Sequence, residues 1–450
     1  MSEPIDELFS TPGMSTIFSS EAHVRAMLAF EAALARSEAS AGIIPQEAAD
    51  AIVASCREEL LDVAALYREA ATAGTPAIPL VRMLMAQVEG DAQKFVHWGA
   101  TSQDAIDTAL MLQIREGLDL LMAGLLSVCA VCATLAEQHR RTPMVGRTLL
   151  QQALPITFGL KAARWLALAT RLVRTLRECR DRELVVQLGG AAGTLASLRD
   201  RGFQVVELLA GELRLSVPEL PWHTERDRIA RIATALGIVA GAMAKIAGDV
   251  ALLAQTEVGE VAEGAAPGKG GSSAMPQKRN PVDATGALAS ARLAIGLVPV
   301  LLSSMVQEHE RAVGGWQAEW AAIPDLFRFT AHTVERVWSA LSGLQISAVH
   351  MRANIDLTRG LIMAESLTMA LAPHIGRPEA YRIVQAVCNA VIKSEGDLYQ
   401  AALEDTQIRA VLSPEEIDRA FEPTEYLGST DAFIERTLAS YRELQSSRSL

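Results

Sequence analysis

The chain has 450 residues, half of them hydrophobic and only 5% aromatic, with a formal net charge of −12. A chain this long buries a large core and divides into two or three domains. The acidic balance excludes nucleic acid as a general partner, so an anionic ligand would have to be held by a local cluster of cations.

Alanine and leucine dominate, and long runs lack the Val/Thr/Tyr alternation of strands, so the elements expected are helices. The opening MSEPIDELFS is acidic and has no apolar core of a signal peptide, which predicts a soluble cytoplasmic protein. Residues 1–20 read as irregular, broken by Pro4, Pro12 and Gly13. From Ser20, a fitting N-cap, a helix is predicted to Ala41, stopped by Gly42 and Pro45. Shorter helices lead to a break at Gly74–Pro79, and a first helical domain is set at 1–110.

The middle of the chain, 111–352, reads as a bundle of long helices. One is predicted from Gln103 to about Arg140 and a second from Gln152 to Leu184. A third covers Asp227 to Glu263, where Ile229, Ile232, Leu236, Val239, Met243, Ile246, Val250 and Leu253 repeat at alternating spacings of three and four. At 1.5 Å per residue that run would be about 55 Å long, more than a compact domain needs. Such helices pack in bundles, often between subunits. Runs such as Ile238 to Ile246 are too short and too rich in Ala and Gly to predict a membrane span. A small helical domain is placed at 353–450; within it Ser413-Pro-Glu-Glu416 is a capping box, and the tail SSRSL is expected to fray. Cys129 and Cys132 form a C-x-x-C inside a helical pattern with no histidine at ligand spacing, so these and Cys56, Cys179 and Cys388 read as packed thiols. No cofactor motif and no metal cluster is present, and none is required.

Three stretches could carry chemistry. Gly271 to Pro281 reads GSSAMPQKRNP, after the glycine-rich GAAPGKGG, so Ser272 and Ser273 lie on a mobile loop, 264–281. Asn280 and Pro281 have the look of an N-cap and a first helical residue. A hydroxyl, the Lys278 cation and a helix start are together suited to gripping a carboxylate and moving its α-proton. The spacing of GAAPGKGG does not make a P-loop. HWGATSQDAIDTA, His97 to Ala109, places Thr101 and Ser102 where the helix from Gln103 needs a cap; this is a well-capped helix and also a candidate carboxylate site. GRTLLQQALP, Gly146 to Pro155, is followed by the glycine turn GGAAGT at Gly189 to Thr194, a close connection and not a dinucleotide fingerprint.

The eleven residues GSSAMPQKRNP closely resemble the signature loop of the fumarase/aspartase superfamily. HWGATSQDAIDTA is similar to the first conserved region of that superfamily's adenylosuccinate-lyase-like members. The resemblance implies an all-α, three-domain fold with a long central bundle. It also implies a homotetramer, with each site built from the segments around 97–108, 146–152 (with 189–194) and 271–281 of three subunits. The matching segment elsewhere reads G-R-T-H, with a histidine acting as general acid; here that position is Leu149. A poor leaving group such as an amine needs that acid. A carboxylate, whose conjugate acid has a pKa of about 4, does not. TPGMSTIF (Thr11–Phe18) and ERAVGGWQAEW (Glu310–Trp320) stand where adenylosuccinate lyases carry phosphate ligands. With PWHTERDR and LGGAAGTLASL, these departures resemble the cycloisomerase branch of the superfamily, and the resemblance runs from about Phe18 to Gly428.

That branch implies lactone closure on a small muconate tricarboxylate. By alignment to the family Ser272 transfers the proton, Lys278 supplies charge and Asn280 fixes the closed loop. His97, Thr101, Ser102, Thr148 and Gln151 would contact carboxylates, with Arg147 and Arg311 as further cations. A fumarate-releasing lyase of the adenylosuccinate type is the alternative.

Overall fold

The computed structural model describes residues 6–446; the expectations for Pro4, the first five residues and the last four lie outside them. Among the described residues the chain is mainly helical, with four short strands in two antiparallel pairs. Contacts divide it into two compact units. One holds residues up to 125, 172–244 and 286–335; the other holds 126–171, 245–285 and 336 onward.

In the first unit the helix Ser20–Ser40 is capped one residue earlier than expected. The Ser19 hydroxyl accepts the Ala22 N–H at 3.1 Å. Its buried face, with Val24, Met27, Leu28 and Ala35, packs on Ile52, Leu66, Leu80 and Leu84 of the short helices that follow. Pro79 lies within the first turn of the helix Ala77–Gln87, so the break after Gly74 is shorter than expected. That turn tolerates proline because its N–H has no partner there anyway.

Glu38 interrupts this apolar face. It is 1% exposed, and neither carboxylate oxygen has a hydrogen-bond partner. Burial, with the charge of Glu31 adding to it, pushes its pKa up to about 9. The unfolded chain therefore releases this proton from about pH 4.5 while the folded chain keeps it, so stability falls as pH rises from 4.5 to 9. Glu38→Gln removes the titration. We expect denaturant unfolding at pH 7 to show a gain on the order of 3 kcal/mol that vanishes near pH 4. A gain independent of pH would place the effect in packing instead.

The long helices differ from expectation at their ends. Ser102–Gln138 matches the prediction closely. The helix expected from Gln152 begins only at Phe158, because Gln151–Thr157 is a strand paired with Pro143–Thr148. Pro155 cannot donate within a helix but is tolerated in a two-stranded ribbon, and Thr157 Oγ1 caps the helix by accepting Leu160 N–H at 3.0 Å. The helix from Asp227 stops at Leu253 rather than Glu263 and is about 40 Å long. The chain then turns through Gly259 (φ +58°), and Val261–Ala262 pairs with Gln345–Ile346. All eight residues of its heptad seam are buried within one chain. Apolar residues left exposed lie off that seam, among them Ile238 and Leu252, with Leu293, Ile295 and Leu302 on Val282–Ser303. Among the described residues three helices, Ser102–Gln138, Asp227–Leu253 and Val282–Ser303, are by length and composition long and apolar enough to cross a membrane. This corrects the expectation drawn from Ile238–Ile246, which weighed too short a run.

In the second unit, helices from Ala364 to Phe421 pack around Leu367, Leu371, Ile383, Val384, Leu398 and Ile417. The capping box at Ser413 is present with both of its hydrogen bonds. Cys129 and Cys132 are buried free thiols, both pushed above their ordinary pKa by burial, Cys129 to about 11.

Candidate active site

The predicted site residues divide between the units. His97, Thr101, Ser102 and Arg311 belong to the first; Arg147, Thr148, Gln151, Ser272, Lys278 and Asn280 belong to the second.

In the first unit the start of the Ser102–Gln138 helix is a buried polar spine. Asp104 is fully buried and accepts four hydrogen bonds: Thr101 N–H at 3.0 Å, Gly189 N–H at 3.0 Å, Gly190 N–H at 2.9 Å and His223 Nε2 at 2.7 Å. One helical turn later Asp107 receives Arg226 at 2.7 and 3.0 Å and Trp316 Nε1 at 3.0 Å. Arg226 also reaches Glu319, at 3.1 and 2.5 Å, and stacks 4.8 Å from the Trp222 ring centre. Asp104 lies in the first turn of the helix, where a negative charge is ordinary. Its real function is to tie the 97–108 segment to the glycine turn at 189–190 and to PWHTERDR. Alternating Asp104 and Asp107 with Gln103 and Thr108 on a helix otherwise apolar was the available signal.

His97 stands just before this helix at φ +56°, with Nδ1 2.6 Å from the buried Glu31. Burial lowers its pKa, but the charge and hydrogen bond of Glu31 and the charge of Asp104 outweigh it, and the net shift is upward. The carboxylates around it thereby favour the imidazolium form. Arg311 donates Nε to Gln103 Oε1 at 3.1 Å, while its buried Nη2 has no partner. A cation with a free buried donor can take up a carboxylate oxygen.

In the second unit GRTLLQ forms a hairpin tip. Thr148 pairs with Gln151, and Leu149 (φ 51°) and Leu150 (φ 64°) are the two turn residues. Positive φ at both positions is the geometry that favours Asn-Gly. Here it holds two leucines, 97% and 73% exposed. Arg147, inside the strand, is committed to the buried Glu260 by two hydrogen bonds, 2.9 and 2.8 Å, and Glu260 also accepts Asn354 Nδ2 at 2.8 Å. Arg147 therefore buttresses the hairpin, and its charge is already compensated. Leu149→Asn with Leu150→Gly should relieve the turn and raise the unfolding free energy by about 1 kcal/mol. Turnover should fall in the same variant if the tip works in the site. Unchanged or higher turnover would show that the leucines are not used.

The loop at 264–281 carries Ser272, Lys278 and Asn280. Ser272 Oγ accepts the N–H groups of Ala274 (3.3 Å) and Met275 (3.0 Å), and its neighbour Ser273 is exposed. Two amide dipoles aimed at that oxygen favour its alkoxide form. Lys278 is exposed. Asn280 does not cap the next helix, as expected from the sequence. That helix begins at Val282, and Asn280 Nδ2 instead reaches back to Gly271 O at 3.4 Å. Glu263 caps it, accepting Asp283 N–H at 3.1 Å and Ala284 N–H at 2.8 Å. This helix start is therefore already filled by a carboxylate of the protein and is not free for a ligand.

A lyase family model matches residues 8–296, and a model of the adenylosuccinate lyase C-terminus matches 360–437. The chain is 46% identical to a 3-carboxy-cis,cis-muconate cycloisomerase of Pseudomonas aeruginosa, over 98% of this chain and 96% of that one. It is also 46% identical to a Bradyrhizobium diazoefficiens protein of the same name, over 96% and 97%. The crystal structure of a 3-carboxy-cis,cis-muconate lactonizing enzyme from Pseudomonas putida superposes with a TM-score of 0.93 at 41% identity, covering 99% of this chain and all of that one.

Proposed function

Because this chain belongs to the lyase family, within the fumarase/aspartase superfamily, we propose that it interconverts 3-carboxy-cis,cis-muconate and 4-carboxymuconolactone. The observation that carries the reading is the pairing of near-full-length likeness to cycloisomerases with a leucine where a general acid would stand.

One substrate carboxylate oxygen adds to a diene carbon and closes the lactone. The electron pair displaced moves toward a neighbouring carboxylate, which becomes an aci-carboxylate. A proton then passes to the adjacent carbon, so the step is an isomerisation with no group lost. In reverse, that proton is removed and the carbon–oxygen bond opens, expelling a carboxylate that needs no protonation, which makes Leu149 sufficient. Ser272 is the proton-transfer group: its oxygen already receives two N–H dipoles. Lys278 adds positive charge on the same loop, and Asn280 ties the loop to Gly271. Arg311, with an unpartnered Nη2, is the strongest of the candidate carboxylate ligands, followed by the cation-biased His97. Thr101, Ser102, Thr148 and Gln151 supply hydroxyl and amide contacts. Arg147 acts through the hairpin it braces.

The enzyme works as a cytoplasmic homotetramer of three-domain subunits, with sites shared between copies. An apolar hairpin tip and exposed leucine and isoleucine side chains on long helices support that assembly. Covering between copies also accounts for three helices whose composition would suit a membrane. The deciding assay follows loss of diene absorbance with 3-carboxy-cis,cis-muconate, with adenylosuccinate in a parallel cuvette. Turnover of the muconate alone is expected. Turnover of adenylosuccinate alone would replace this reading with a fumarate-releasing lyase that uses another acid.

A further inference from the structure

The loop 264–281 is not one mobile piece. Its two ends meet in a buried charge cluster that neither the motif nor the relatives' names account for. Lys269 Nζ lies 2.5 Å from Asp283 Oδ2 and 3.8 Å from Glu263 Oε2. Asp283 is 1% exposed and also takes Arg336 Nη1 at 3.0 Å and Ser339 Oγ at 2.6 Å. Glu263 stands before the loop and caps the helix after it. Two carboxylates and two cations thus balance where the loop leaves and rejoins the body.

Just above this clasp the strands of the loop touch once more. Asn280 N–H donates to Gly270 O at 2.9 Å, and a Cβ on Gly270, which sits at φ +71°, would come within 2.8 Å of Asn280 O. Beyond that contact almost every residue from 271 to 279 is exposed.

We infer that Lys269 is a positioning residue: by clasping Asp283 and Glu263 it fixes the root of the loop, so that only residues 271–279 move and Ser272 returns to one place on each closure. This rests on Ser272 as the proton-transfer group. Lys269 is the only one of the four charged partners that belongs to the loop itself, so removing it frees the root and leaves the helix cap in place. The Glu263 carboxylate keeps its two amide donors, and Asp283 keeps Arg336 and Ser339.

The test compares Lys269→Met and Lys269→Arg with the unaltered enzyme, using 3-carboxy-cis,cis-muconate and amide hydrogen exchange. In Lys269→Met, kcat should fall at least about tenfold with KM within about threefold, because closure is disturbed more than binding. The Asn280 amide should exchange at least about tenfold faster, and the melting temperature should stay within about 2 °C. Lys269→Arg should recover most of kcat, since it restores the charge at the clasp. A kcat within twofold of the unaltered enzyme would overturn the inference, as would a loss of kcat matched by a general loss of stability. If the muconate is not turned over at all, the function reading fails by itself. Hydrogen exchange then still decides the clasp: unchanged Asn280 protection in Lys269→Met refutes it, and faster exchange upholds the mechanical half.

Discussion

Ser272→Ala should lower kcat for the muconate by about 10²–10⁴-fold, the range over which a positioned proton-transfer group contributes. The chain should keep its melting temperature, because Ser272 sits on an exposed lobe and bonds only to amides two and three residues ahead. Ser273→Ala is the control. Ser273 is exposed and lies outside that hydrogen-bond pattern, so its loss should cost less than about tenfold. The sequence could not separate the two serines; the two N–H groups converging on Ser272 Oγ are what favours it as the candidate. If Ser272→Ala turned over normally, the proton would have to come from elsewhere, and Lys278 would be the next group to replace.

Arg226→Met should have the largest effect on stability. Arg226 is fully buried and is the shared ion-pair partner of two carboxylates, Asp107 and Glu319, that are themselves at most 1% exposed. Removing one partner of a buried ion pair costs about 3–5 kcal/mol, because the charge left behind has neither water nor a counter-ion. Two stranded carboxylates would consume much of the roughly 5–15 kcal/mol that holds a domain folded. The single variant should therefore be recovered mainly as aggregate. Adding Asp107→Asn and Glu319→Gln removes the charges while keeping acceptors for Trp316 Nε1 and Gln307, and should restore soluble protein. Failure of the triple variant to do so would mean that Arg226 matters for shape, through its stacking on Trp222, rather than for charge.

Much of the helical fold was readable because helix periodicity is local. The Ser102 and Ser20 helices were placed to within a residue or two, and the eight seam residues of the Asp227 helix are all buried. The seam was read as a bundle seam and is buried, but it was wrongly given a reach to Glu263: the helix stops at Leu253 and the chain then turns through Gly259. The hairpin at 143–157 was missed for a similar reason. Its strand Gln151–Thr157 owes its form to pairing with a partner, not to its own pattern, and the turn residues Leu149 and Leu150 give no turn signal. At the site, the motif exposed Ser272, Lys278 and Asn280 as chemical types. It could not show that Glu263 fills the helix start, that Arg147 is spoken for by Glu260, or that Glu31 faces His97. Each of those partners lies between 20 and 113 positions away in the chain, and a separation of that size is not written in a motif.

The division of the chain into units has a consequence for biosynthesis. Each unit is assembled from three separate stretches, and the first is incomplete until residue 335 has been made. Once the first 253 residues are made, the long apolar helices Ser102–Gln138 and Asp227–Leu253 exist before the stretch 286–335 that completes the first unit. The first unit can close only after residue 335 has emerged, while the second still lacks everything from 336 onward. Truncations that end before residue 335 should yield no independently folded fragment, and the growing chain depends on chaperones until that point.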